Sequence, residues 1–112
     1  MTERKKRMKI FISQPMRNRS DQEIKAERDK IMALMNDKFS DAVEEVPSYL
    51  PEMYQQHLHE PLYMLGFSLQ MMADADVAVF APNWWDARGC KIEHDAATNY
   101  GVPYVDISEE DL

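Results

Sequence analysis

Val77 to Ala81 reads VAVFA, five apolar residues without a polar break, and closes at Pro82-Asn83. A strand with one wet face alternates apolar with polar residues, so an unbroken run marks a strand covered on both faces, as in a parallel sheet between helices. Other runs supply the rest of such a sheet. Met8 to Ser13 (MKIFIS) is β-prone and stops at Gln14-Pro15, where proline removes a ladder donor. Ala42 to Val46 alternates weakly before Pro47, and Val102 to Ile107 forms a last strand.

Helical spacing separates these runs. Ser20 and Glu23 have the S-x-x-E spacing of a capping box, which predicts a helix through Ile24, Ile31 and Met35 to about Asp37. Pro61 suits a first helical turn, and Leu62, Leu65, Leu69 and Met72 recur at helical spacing up to Ala73-Asp74-Ala75. A third helix is expected from about Gly89 to Tyr100, closed by Gly101 as a left-handed cap. Pro47 to Glu60 has no clean period and reads as a long loop, and Ser108 to Leu112 as an acidic tail.

The resulting β-α-β-α-β-α-β order predicts an α/β fold: a small flavodoxin-like or Rossmann-like parallel sheet of about four strands flanked by helices, with right-handed crossovers. Such sheets place their sites at the carboxyl ends of strands near the switch in strand order, here Ser13 and Ala81. At 112 residues the chain holds one domain, read as 8–112 after a flexible basic tail of residues 1–7. Arg4, Lys5, Lys6 and Arg7 lie in that tail against Glu3, so a formal net charge of −7 leaves an acidic body of −10 behind a tail of +3. An acidic body argues against nucleic acid as a partner. A lone cysteine, no apolar run of membrane length and no signal-peptide core predict a cytoplasmic protein with no membrane partner.

Glu93 falls early in the third helix, where free amides and the macrodipole favour negative charge. That position suits an ionised nucleophile, and equally an acidic residue that only complements the dipole. Trp84, Trp85 and Asp86 precede it with Gly89, which admits close backbone approach; adjacent tryptophans either cover a core or subunit surface or wall a planar ligand. The loop Ser13, Gln14, Pro15, Met16, Arg17, Asn18, Arg19 leads into a helix and carries two arginines able to hold an anion, or simply solvated. No glycine-rich phosphate signature accompanies it. His57, His59, Cys90 and His94 lack the geometry of a metal motif, so no metal and no cofactor are expected. Cys90 reads as a small buried residue or a neighbour of ligand.

The segment FSLQMMADADVAVFAPNWWDARGCKIEHDAATNYGVPYVDI, from Phe67 to Ile107, together with IFISQPM near the start, resembles a domain-of-unknown-function family of small phage and bacterial proteins related to the nucleoside 2-deoxyribosyltransferases. The resemblance rests on Ile12-Ser13-x-Pro15-Met16, Ala75-Asp76, Trp85-x-x-Arg88-Gly89-Cys90 and Glu93, in the family's order over about half the chain. It implies cleavage of an N-glycosidic bond by attack of the Glu93 carboxylate on the anomeric carbon, through a covalent glycosyl-enzyme. It implies a nucleoside or nucleotide as ligand, Ser13, Arg17 and Arg19 as candidates for phosphate, Asp86 as a possible substrate ligand, and a homodimer or larger assembly. Two departures are visible: Ser68 stands where the transferases carry an aspartate, and the chain ends soon after the last strand. Both favour hydrolysis over base exchange, with a non-catalytic nucleotide-binding sensor or regulatory module as the alternative.

Overall fold

A computed structural model describes residues 7–49 and 57–112 of the chain. In chain order these form β1 (Met8–Ser13), α1 (Asp21–Lys38), β2 (Val43–Glu45), α2 (Glu60–Ala73), β3 (Val77–Phe80), α3 (Arg88–Tyr100) and β4 (Tyr104–Asp106). The four strands make one parallel sheet in the order β2-β1-β3-β4. This is a small Rossmann-like α/β domain, and its strand order reverses between β1 and β3.

Side-chain alternation along the two central strands divides the core into two layers. Ile10 and Ile12 of β1, with Val77, Val79 and Ala81, pack against Ile31 and Met35 of α1. Phe11, Ala78 and Phe80 face the other way, onto Met72 of α2 and Ala97 of α3. All four residues of β3 are buried, as the unbroken apolar run requires. The same alternation continues past the strand: Ser13 follows Phe11 toward α2 and α3, while Gln14 follows Ile12 toward α1.

Local signals set the helix ends. Ser20 caps α1, its hydroxyl accepting from the Glu23 amide at 3.1 Å while the Glu23 carboxylate accepts from the Ser20 amide at 3.1 Å. Gly101 closes α3 with φ 72°, a conformation open to glycine without a Cβ penalty. The outer strands are shorter than expected, yet their ladder bonds reach further: Met8 N–H donates to Ala42, Val46 N–H to Ile10, and Ile107 N–H to Phe80. Two expected loops carry order. Trp84–Asp86 is a 3-10 turn entered through Asn83 at φ 66°, and Ser108 to Leu112 is a second such turn, over Glu109–Asp111, with a capping box from Ser108 and Asp111. Asn83 Nδ2 donates to Glu109 Oε1 at 3.0 Å, so the acidic end is tied to the end of β3.

The basic tail is described only at Arg7, which is exposed. Of the expected 47–60 loop, residues 50–56 lie outside the described residues, and Glu60 already belongs to α2. No helix among the described residues is long and apolar enough to cross a membrane.

Candidate active site

The carboxyl end of β1 and the inward face of α3 meet at one carboxylate. Gly89, Cys90, Glu93 and Ala97 fall at helical i, i+1, i+4, i+8 spacing, and Cys90, Glu93 and Ala97 are buried. Glu93 keeps only 7% of its surface exposed, and Ser13 Oγ donates to Glu93 Oε1 at 2.6 Å. The Ser68 hydroxyl of α2 lies close enough to the same carboxylate to favour its ionised form. Burial pushes the Glu93 pKa up to about 7, against the lowering influence of the Ser13 and Ser68 hydroxyls and of the Arg28 charge. The helix position does not make the ionised form cheap, contrary to expectation: Glu93 is the sixth residue of α3, a turn beyond the free amides, and desolvation dominates.

A cleft of about 210 Å³ opens over this carboxylate. Ser13, Gln14 and Met16 line one side, Ser68, Met64 and Leu65 of α2 another, and Gly89 and Cys90 with Glu93 the third. Cys90 is buried, and desolvation, with the nearby Glu93 and Glu27 charges, pushes its pKa up to about 12 against the Ser13 hydroxyl. The raised pKa keeps the thiol protonated at physiological pH, and its residue lines the cleft.

Beneath the cleft lies a cation that sequence reading missed. Arg28 of α1 is 3% exposed and spreads its guanidinium over three partners: Nε to Glu45 Oε2 at 2.7 Å, Nη1 to Gln14 Oε1 at 2.7 Å, and Nη2 to Ser48 Oγ at 2.6 Å. Gln14 Nε2 donates in turn to Glu27 Oε1 at 2.9 Å, and Ser48 Oγ to the Ile12 carbonyl at 3.3 Å. Gln14 and Ser48 both line the cleft, so Arg28 fixes its floor. The signal was present: Ile24, Arg28, Ile31 and Met35 are the buried stripe of α1, and Arg28 occupies a core position in it. Ser48 follows the end of β2, where the rule that pointed to Ser13 and Ala81 applies equally.

Other candidates stand elsewhere. Arg17 is exposed in a turn. Arg19 donates to Glu27 Oε1 at 2.9 Å and to the Pro15 carbonyl at 2.8 Å, and lines a different cavity beside Pro82 and Glu109. Neither arginine lines the Glu93 cleft, and Pro15 contributes its carbonyl to Arg19 and no wall to it. Trp84 stacks on His94 at 3.8 Å and 4° and packs near Phe80, against the core layer that holds Ala97. Trp85 is 53% exposed and meets Trp84 edge-on, and Asp86 is exposed. These three do not border the cleft. Strand and helix periods located the loop; which side of α3 its rings would take was not in them.

The histidines are separated as well. His57 stacks on Tyr63 at 3.5 Å, and His94 Nε2 meets Asp106 Oδ1 at 3.0 Å. Among the described residues no group of three His, Cys, Asp or Glu side chains is placed to hold a metal ion. Comparison of the chain with protein-family models, curated proteins and solved structures finds no match.

Proposed function

We propose that the protein cleaves the N-glycosidic bond of a 2′-deoxynucleoside or its 5′-monophosphate, with Glu93 as nucleophile. The observation that carries this reading is one buried carboxylate, hydrogen-bonded by Ser13 and facing Ser68, over a cleft at the switch in strand order. The likeness of the Ile12 to Met16 turn, the Trp85 to Cys90 loop and Glu93 to deoxyribosyltransferase relatives supports it.

In the reaction the ionised Glu93 attacks the anomeric carbon as the carbon–nitrogen bond breaks. The electron pair leaves with the base nitrogen, which takes a proton from solvent. Water then attacks the glycosyl ester, releasing the sugar and regenerating the carboxylate, with the water's proton passing to solvent. The developing positive charge on the sugar ring favours the ionised carboxylate, and a group that titrates near 7 supplies that form at neutral pH. Transfer to a second base is the same chemistry with a base in place of water.

A non-catalytic nucleotide-binding role on the same cleft has one observation in its favour. Glu93 is the sole carboxylate lining the cleft among the described residues, which leaves no second acid to protonate a departing base. Incubation with a panel of deoxynucleosides and their monophosphates decides between the two. Free base released by the wild-type chain and not by Glu93→Ala supports catalysis; a raised melting temperature with no base released supports binding alone. On this proposal the protein is also a cytoplasmic homodimer or larger, and a monomer in light scattering at micromolar concentration counts against a site shared between subunits.

A further inference from the structure

β1 runs further than its neighbour on one side. Its pairing with β3 continues to Ser13 and Phe80, and Ala81 N–H then donates to the Ser13 carbonyl at 2.8 Å. Its pairing with β2 stops at Ile10 and Glu45, followed by one bond from Val46 N–H to the Ile10 carbonyl at 2.8 Å. Ile12, Ser13 and Gln14 therefore overhang β2, and Pro15 has no amide hydrogen with which to extend a ladder. A buried carbonyl left without a strand partner, such as that of Ile12, needs a donor from elsewhere.

Arg28 fills the place of the missing strand. Its Nη2 donates to Ser48 Oγ at 2.6 Å, and that hydroxyl donates to the Ile12 carbonyl at 3.3 Å. Its Nη1 donates to Gln14 Oε1 at 2.7 Å, while Gln14 Nε2 donates to Glu27 Oε1 at 2.9 Å and to the Ile24 carbonyl at 3.3 Å. Turning the Gln14 amide over would set its nitrogen against the guanidinium and its oxygen against two acceptors, so one orientation is fixed. The Nε bond to Glu45 at 2.7 Å ties the same fork to the end of β2. From one face of the sheet, α1 thus grips the free end of β1.

On the other face, the same end of β1 carries the Ser13 hydroxyl, 2.6 Å from Glu93 Oε1. Ser13 and Gln14 are consecutive, so whatever moves one backbone moves the other. We infer that Arg28 is a positioning residue for Glu93: by holding Ile12 and Gln14 where β2 no longer does, it keeps Ser13 Oγ within hydrogen-bond reach of the carboxylate. The inference concerns this contact and stands apart from the reaction proposed for Glu93. The other groups that bear on the carboxylate are Ser68 of α2 and Cys90 of α3. The charges beside Arg28 are Glu45 of β2 and Glu27 of α1, the latter paired with Arg19.

The test follows Glu93 by carbon-13 NMR titration of its carboxyl in the full chain, with urea unfolding measured alongside. Arg28→Lys keeps the charge and loses the fork. A field acting from Arg28 would then leave the titration unchanged, whereas a lost grip on β1 raises it. The expected shift is upward by about one unit, toward that of Ser13→Ala, because the hydroxyl that favours the ionised form is released. In a Ser13→Ala background the same Arg28→Lys substitution should add nothing, since the contact it positions is already gone. Ser48→Ala leaves every charge in place and cuts only the link to Ile12. It should give a smaller shift in the same direction, and it decides the matter if Arg28→Lys does not fold. Met35→Ala, in the same buried stripe of α1, weakens the fold through a core cavity and should leave the titration where it is. A titration unmoved by folded Arg28→Lys, or failing that by Ser48→Ala, makes the network merely structural and overturns the inference. So does an equal shift with and without Ser13, which marks a through-space effect, or an equal shift in Met35→Ala, which marks general loosening. Base release is scored separately: its absence from the wild-type chain removes the glycosidic reading and leaves the positioning of Glu93 untouched.

Discussion

Ser13 Oγ lies 2.6 Å from Glu93 Oε1, a buried hydrogen bond between residues 80 positions apart in the chain. A hydroxyl donated to a carboxylate stabilises its charged form and so opposes the desolvation that raises the Glu93 pKa. Ser13→Ala should therefore move that pKa higher, by about one to two units given the roughly 1.5–3 kcal/mol worth of a charged hydrogen bond. Carbon-13 NMR titration of the labelled carboxyl reads it directly, and the acid limb of base release should move by the same amount. An unmoved titration would mean that the hydroxyl does not set the charge state.

Glu93 should also make the fold less stable as the pH rises. Its folded pKa of about 7 lies above the ordinary 4.5, so the folded chain holds this proton more tightly than the unfolded chain. Its stabilising contribution is complete below pH 4.5 and is lost as the pH rises through 7, a difference on the order of 3 kcal/mol. Glu93→Gln keeps an acceptor for Ser13 and removes the titration. The variant should gain on the wild type in urea melts between pH 5 and pH 8, and a constant difference across that range would refute the buried ionisation.

Arg28 is expected to matter more for stability than for charge balance. Its partner Glu45 keeps 34% of its side chain exposed and can be rehydrated, but Gln14 Oε1 and Ser48 Oγ lose a buried donor. Arg28→Met should cost about 2–4 kcal/mol in urea unfolding. Arg28→Lys should recover little, because one ammonium cannot span three acceptors met by a planar fork. A loss below about 1 kcal/mol would show that the network adds no net stability.

Cys90 should be chemically quiet in the folded chain. Burial pushes its pKa up to about 12, so far less of the thiol is ionised near neutral pH than of an ordinary thiol. Reaction with a disulfide reagent should be at least a thousandfold slower in buffer than in guanidinium. Cys90→Ala should then retain any base release, and its loss would return the thiol to the mechanism.

Most of the scaffold was legible because it rests on local rules. VAVFA sits where a doubly covered strand must, Ser20 and Glu23 form their capping box, and Gly101 takes the left-handed conformation that ends α3. The junction of Ser13, Ser68 and Glu93 was legible only in part, through strand ends and resemblance, because a contact across 80 residues has no local pattern. The tryptophans illustrate the limit. Trp84 and Glu93 are nine positions apart, and a short turn before the helix decides that the indole packs on His94 and Phe80. Arg28 was overlooked for the opposite reason: its charge outweighed its place in an apolar stripe.

Since its two partners lie near opposite ends of the chain, the Ser13 to Glu93 contact exists only once β1 and α3 have both docked. Anything bound there acts as a staple on the global folding equilibrium, not on one element. A ligand at a hundred times its dissociation constant would add about 2.7 kcal/mol to the whole domain, protecting amides as remote as those of α1.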